Sequence, residues 1–319
     1  MDQKLQKNAP QRCTSTASDA DEHANNLTKW HQQYDQVGSG RFYGRIDEVH
    51  LDGIQLFIEH TSHAVRQQCM VWPDSVWFGI PSRTEGTRIN GQEADQTDIL
   101  CRPGDTEFEL MTPDRFDMLS LVVHRKELES LAESRDLQLK TLETAQSPRL
   151  KLPTQTLRNL HFLLRRMVHT QTVQMDGRIQ RDILTVAVLE LLLAERPNQK
   201  VAPSYARRKA VVERVKAYIS SADDLPVTMA KLCEIGCVSQ RSLQYSFETI
   251  LGMSPRQFLR ICRLNRVRRM LQKNNAHSVS DIAAFNGFYH HSQFAADYKQ
   301  LFGERPSETL HRACRAETD

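Results

Sequence analysis

The chain has no apolar run of the roughly 18 to 20 residues needed to cross a bilayer; its longest, Val186 to Ala194, is broken by Glu190. No segment is expected to span or bind a membrane. A secretory core is missing too: Met1 to Asn26 is polar and of mixed charge, and reads as a disordered leader, extended to residue 40, of a cytoplasmic protein. Cysteine is sparse and odd in number, at 13, 69, 101, 233, 237, 262 and 314, which does not fit a disulfide framework. Cys233 and Cys237 stand one helical turn apart, but no second Cys/His pair follows at finger-like spacing, so both are expected to be buried thiols. A strong net charge is also lacking, at +3 over 319 residues.

What is present fills two domains and a connector, since 319 residues exceed one ordinary core. The 39% hydrophobic and 25% charged residues are ordinary for a globular chain. Charge becomes informative once divided: residues 207–312 carry 17 Lys+Arg against 9 Asp+Glu, net +8, leaving 25 against 30, net −5, elsewhere. Only the C-terminal third is basic, as a nucleic-acid surface requires, although a basic face can also be merely solvated.

Between Phe42 and Val123 the pattern is β-rich. Ile54 to Ile58, Ser75 to Ile80 and Phe116 to Val123 read as strands, separated by turn signals at Asp52-Gly53, Asn90-Gly91 and Pro103-Gly104-Asp105. A sandwich or small barrel is expected. Helical periodicity follows in Arg125 to Ser134, in the stripe Leu157, Leu160, Leu164, Met167, Val168, and in Ile179, Ile183, Val186, Leu189, Leu191, Leu193. These faces pack either on the sheet or against a second copy. Prolines at 197 and 203 mark a linker over 197–206.

Beyond it the caps can be read one by one. Thr228 caps a helix that buries Leu232 and closes at Gly236; Ser239 caps another, with Leu243, Phe247 and Ile250 inward, ending at Gly252. Ser254-Pro255 opens a long helix to about Gln272. Ser278 and Asp281 form a capping-box pair before a short helix stopped by Gly287, and a last one from His290 buries Phe294, Tyr298 and Phe302. The same unit occurs twice, a short helix, a turn and a second helix, with starts at Ser239 and His290, 51 residues apart. A spacer helix of roughly 18 residues is about 27 Å long, which suits recognition helices one DNA turn, about 34 Å, apart.

Residues 207–312 resemble the AraC/XylS family of bacterial regulators. The first unit matches through Ser239, Arg241, Leu243 and Phe247, then Gly252, Ser254-Pro255 and Arg263-Leu264. The second matches through Asp281-Ile282-Ala283, Gly287-Phe288, Ser292, Phe294, Tyr298-Lys299, Phe302-Gly303 and Pro306. Within the family the chain looks most similar to regulators of the ethanolamine-operon type. The resemblance implies an all-α DNA-binding domain at 207–312 with a tail at 313–319, and a cupin-like N-terminal barrel or sandwich at 41–196 that binds an effector or dimerises. It also implies promoter DNA as partner and, for an activator, RNA polymerase. The expected class is α+β.

Site residues follow from helical geometry beside that resemblance. With Leu243 and Phe247 inward, Arg241, Gln244 and Tyr245 face out as base readers; the second unit offers His291, Ser292, Gln293 and Ala296. Family members often carry a long polar residue where Ala296 stands, so the second unit is expected to position more than it reads. Candidates for the DNA backbone are Ser239 and His290 at helix N-termini, with Arg263, Arg266, Arg269, Lys273, Lys299 and Arg305. Trp72, Trp77, Phe78 and Phe108 are candidates for an effector pocket, or are simply core. His60, His63 and the nearby Cys and Asp residues do not follow a cupin ligand pattern, so neither metal nor cofactor is expected. No nucleophile, base and orienting group can be assembled, so an enzyme is not expected. A non-specific architectural DNA binder would show the same basic charge.

Overall fold

The computed structural model describes residues 11–51, 53–134, 149–169, 177–192, 203–221, 227–273 and 278–316. Asp52, most of the expected linker, the first ten residues and the extreme C-terminus lie outside them. Two compact units emerge, Met1–Tyr34, Tyr43–Ser62 and Gln67–Gln199 in one, and Asp35–Phe42, His63–Arg66 and Lys200–Asp319 in the other.

The first unit is built on β1 (Gln11–Ala17), β2 (His31–Gln36), β3 (Gly44–Leu51), β4 (Ile54–Thr61), β5 (Val65–Met70), β6 (Ser75–Pro81), β7 (Arg88–Ile89), β8 (Gln92–Glu93), β9 (Asp98–Pro103), β10 (Phe108–Thr112), β11 (Phe116–His124) and β12 (Arg149–Lys151). Its helices are α1 (Ala20–Asn25), α2 (Arg125–Glu133), α3 (Thr154–His169) and α4 (Gly177–Leu192). The strands form a seven-stranded sheet, β1-β3-β4-β11-β6-β9-β12, and a five-stranded sheet, β2-β5-β10-β7-β8, so two sheets face each other and no closed barrel forms. The larger sheet is buried on both faces, apolar on one and mixed on the other, where Gln55, Glu59 and Ser120 accompany Phe57 and Trp77. Ile54, Leu56 and Ile58, with Val76, Phe78 and Ile80 and with Leu119, Leu121 and Val123, pack against Leu160, Leu164, Leu184 and Val188 of α3 and α4. Because side chains alternate along a strand, Trp77 points the other way and stacks on Phe108 of the smaller sheet, ring centroids 5.0 Å apart. The α3 stripe therefore buries on the sheet; of the second stripe Leu191 is buried and Ile183 packs on the same core, Ile179 and Val186 stay exposed, as does Phe162 of α3, and the side chains of Leu189 and Leu193 lie outside the described residues.

One expectation is corrected here. Residues 11–36 are not a disordered leader: β1 pairs antiparallel with β3 from Gln11↔His50 to Ala17↔Gly44, and Asp19 caps α1 by accepting from the Asp21 and Glu22 amides. β1 has one buried residue, Ala17, so a polar edge strand carries no alternating signature. The turn residues behave as expected: Asn90 and Gly91 both have positive φ between β7 and β8, and Asp105 does so after β9.

The second unit contains α5 (Pro203–Ser221), α6 (Met229–Gly236), α7 (Gln240–Leu251), α8 (Pro255–Gln272), α9 (Val279–Phe285), α10 (His291–Phe302) and α11 (Pro306–Ala316). Thr228, Ser239 and Ser254 cap α6, α7 and α8 by accepting backbone N–H bonds, and Ser278 with Asp281 forms a complete capping box on α9. Gly252 and Gly303 end α7 and α10 with φ of 70° each. At the end of α6 the expectation fails: Gly236 is still helical, and Cys237, with φ 53°, takes the left-handed position. Gly236 is needed for closeness instead, since a Cβ there would lie 3.3 Å from Val211 of α5. The thiols differ from expectation as well, Cys233 being half-buried and Cys237 exposed.

Candidate nucleic-acid interface

In the first helix-turn-helix, α6 is buried through Leu232 and α7 through Leu243, Phe247, Ile250 and Leu251, with Phe247 edge-on to Phe258 of α8 at 5.5 Å. Arg214 of α5 donates to the Gly236 carbonyl at 2.7 Å and ties off the end of α6. The opposite face of α7 is open. Ser239, Gln240, Arg241 and Ser242 are exposed, Tyr245 is 58% exposed, and Gln244 is half-buried with its amide donating to Glu248 at 2.6 Å. That contact uses one N–H of Gln244 and leaves a second N–H and the carbonyl, the donor and acceptor pair that adenine N7 and N6 require.

The second helix-turn-helix closes on Leu264, Val267, Leu271, Ile282, Phe294, Tyr298 and Phe302. His291, Ser292, Gln293 and Ala296 are exposed on α10. Gln293 donates to Asp297 at 2.6 Å, and Arg260 of α8 pairs with the same carboxylate, linking the connecting helix to the recognition helix. His290 makes no side-chain cap bond, so the first amides of α10 keep no such partner. Behind α10 lies a buried ion cluster: Glu304 accepts from Arg268 at 2.9 Å, from Thr309 at 2.7 Å, and from both terminal nitrogens of Arg312 at 2.8 and 2.7 Å. Burial would raise the Glu304 carboxyl, but the Arg312 and Thr309 hydrogen bonds and the two guanidinium charges outweigh it and hold the group at about 2. Tyr298, buried beside the cluster and sharing a hydrogen bond with Thr309, is pushed up to about 12, chiefly by burial.

The expected phosphate contacts divide. Lys273, Lys299 and Arg305 are exposed. Arg263 is turned inward, donating to the Val227 carbonyl at 3.1 Å, and burial lowers its guanidinium. Arg269 donates to Asp35 at 2.9 Å, and Arg266 lies over Phe285 at 5.6 Å. Asp35 and its neighbour Gln36 are thus part of this unit. The Gln36 backbone exchanges two hydrogen bonds with the Asn265 side chain, each 2.9 Å, and its side chain donates to Leu301 near the end of α10 at 2.8 Å. Sequence separations of 229 and 265 residues hid these partners from any local pattern.

The four aromatic pocket candidates do not share one face. Trp77 and Phe108 stack, Trp72 donates to Gln55 at 2.9 Å, and Phe78 lies in the opposite layer under α3 and α4. Trp30 belongs with the first group, edge-on to Phe57 at 5.7 Å and to Trp77 at 6.0 Å and also donating to Gln55. It was missed because it falls inside the stretch read as a leader. His60 pairs with Asp117 at 2.7 Å.

A family described as "Helix-turn-helix domain" matches residues 232–312. The chain is 36% identical over 149 residues to "XylDLEGF operon transcriptional activator 1" of Pseudomonas putida, covering 45% of this chain and 43% of that one. It is 37% identical over 102 residues to "Probable thc operon regulatory protein" of Rhodococcus erythropolis, 31% of each. A solved structure, "a probable AraC family transcriptional regulator" from Rhodopseudomonas palustris, is 35% identical over 32% of this chain and 96% of its own, with a TM-score of 0.31. The C-terminal domain belongs to the AraC/XylS family. The chain spans less than half the length of the first curated relatives it matches. The helix-turn-helix family match runs from the middle of α6 to the middle of α11. Among the described residues no helix is long and apolar enough to cross a membrane.

Proposed function

We propose that this protein is a sequence-specific transcription activator whose AraC/XylS domain reads promoter DNA through two successive major grooves. The observation that carries the reading is the pair of recognition helices α7 and α10, each buried on one face and exposing polar side chains on the other, which precede and follow in sequence an 18-residue connecting helix about 27 Å long. Arg241, Gln244 and Tyr245 read bases in the first groove. His291, Ser292, Gln293 and Ala296 meet the second, where the small Ala296 reaches no further than a thymine methyl, so α10 mainly positions. Lys273, Lys299, Arg305 and the N-terminal amides of α7 and α10 meet phosphates. Arg263, Arg266 and Arg269 were expected to do the same; their internal contacts support a structural share in that role.

The N-terminal unit senses a small molecule or pairs with a second copy. Exposed Phe162, Ile179 and Val186 support pairing, and the tryptophan group around Gln55 supports a sensing interior. RNA polymerase is the further partner of an activator. The finer likeness to ethanolamine-operon regulators makes ethanolamine a ligand to include in a melting screen of the whole chain, where a concentration-dependent rise in Tm reports binding to the folded form.

Selection from a randomised duplex pool by the full chain tests the central reading. A bipartite consensus about one helical turn apart is expected, and it should degrade in its first half when Arg241, Gln244 and Tyr245 are all replaced by alanine. Equal competition by random duplex, or a consensus indifferent to that triple substitution, would remove it.

A further inference from the structure

The first recognition helix is met on its open side by a residue from outside the helix-turn-helix. Arg208, near the start of α5, places its guanidinium carbon 5.0 Å from the centroid of the Tyr245 ring. Arg208 is half-buried, and its Nε is buried without a hydrogen-bond partner. Packed arginines elsewhere in the domain give N–H groups to oxygen, as Arg214 does to the Gly236 carbonyl and Arg268 to Glu304. Among the described residues, the contact found for Arg208 is the ring face on α7. A buried N–H left unbonded forfeits a hydrogen bond, so this placement serves the ring contact at the expense of the usual polar one.

The ring gains fixity. A tyrosine on an exposed helix face otherwise moves among staggered rotamers, and a base contact made from that state must pay for ordering. A planar guanidinium over one face confines it through the attraction between cation and ring quadrupole. The other face and the edge remain available for an apolar contact, and the apolar feature the major groove offers is the thymine 5-methyl.

We propose that Arg208 is a positioning residue for base recognition: its guanidinium holds Tyr245 in the orientation in which the ring meets a thymine methyl. The inference rests on the reading of Tyr245 as a base contact and adds to it both the base feature and the residue that sets the ring. Uracil supplies the probe, because it removes the methyl and leaves the pairing edge intact.

Duplexes enriched by the full-length chain are titrated with each thymine of the first half-site replaced by uracil in turn. One replacement is expected to weaken wild-type binding about three- to tenfold. Tyr245→Ala should abolish that penalty, and Arg208→Leu should cut it to within about twofold while helical circular dichroism and Tm hold. Arg208→Lys, which keeps the charge but not the plane, should preserve the salt dependence and still reduce the penalty. If Tyr245→Ala removes the penalty and Arg208→Leu leaves it whole, Arg208 has no positioning role although the base reading stands. If no uracil penalty depends on Tyr245, the base reading of that residue fails and this inference with it. Uniform weakening of all duplexes by Arg208→Leu, with a flatter salt slope and the penalty intact, would make Arg208 a phosphate contact and overturn the proposal.

Discussion

Replacing Glu304 by glutamine should destabilise the second helix-turn-helix by about 2 to 3 kcal/mol at neutral pH. Glu304 is 5% exposed and receives four hydrogen bonds from three residues, two of them guanidiniums. Its folded value of about 2, against an ordinary 4.5, is a depression of roughly two and a half units. At about 1.4 kcal/mol per unit this corresponds to about 3 kcal/mol, which the half-exposed position of Arg312 reduces through solvent screening. Glutamine keeps the shape but turns an N–H group toward donors, so nothing replaces the lost charge. The sign of the pH dependence follows from the depressed value. The stabilisation is fully present above the unfolded carboxyl value near 4.5 and disappears as pH falls toward 2. Urea unfolding of wild type and Glu304→Gln, followed by the helical signal, should therefore show a gap that is constant from pH 7 to 5 and narrows below. A gap under 0.5 kcal/mol at pH 7, or one unchanged at pH 3, would refute the reasoning.

Arg241→Ala is expected to relax base preference at one position and cost about 1 to 3 kcal/mol on the preferred duplex, whereas Lys273→Ala should weaken all duplexes alike and lower the salt slope by about one unit, both read by titration at several salt concentrations. Ala296→Gln should add discrimination at one base pair of the second half-site, detectable as a new preferred base in a repeated selection; an unchanged consensus would place that position away from the groove. Gly252→Ala, where only the positive φ resists a side chain, should lower stability by about 1 kcal/mol in urea melts. Gly303→Ala should cost more than that, because a Cβ there would also stand 2.7 Å from the Arg41 amide nitrogen. Equal costs would mean that the neighbouring backbone yields freely.

The helical domain was legible in the sequence because its signals are local. Ser239, Ser254 and the Ser278–Asp281 pair cap helices within four residues of themselves, and Gly252 and Gly303 stop helices at the residue where they stand. The exposed faces of α7 and α10 followed from periodicity alone. Three kinds of feature did not. A left-handed Cys237 runs against residue preference, which points to the adjacent Gly236. The polar edge strand β1 acquires its structure from β3, with partners from Gln11↔His50 to Ala17↔Gly44 well beyond any local window, and with it went α1, β2 and Trp30. Contacts such as Asp35 with Arg269 and Arg208 with Tyr245 join elements distant in sequence, so a list of exposed cations could not separate those held internally from those left for DNA.

The composition of the second unit has a practical bearing. Gln36 gives the carboxyl end of α10 a donor to Leu301, Gly40 adds a backbone donor to the same carbonyl at 3.0 Å, and Asn265 is satisfied by the Gln36 peptide. A recombinant fragment starting at Pro203 would leave these acceptors and donors to solvent and uncover Phe258, over which Arg66 lies at 5.3 Å. Footprints measured with such a truncated product would report on a trimmed scaffold, and affinities taken from it for the downstream half-site belong to the fragment alone.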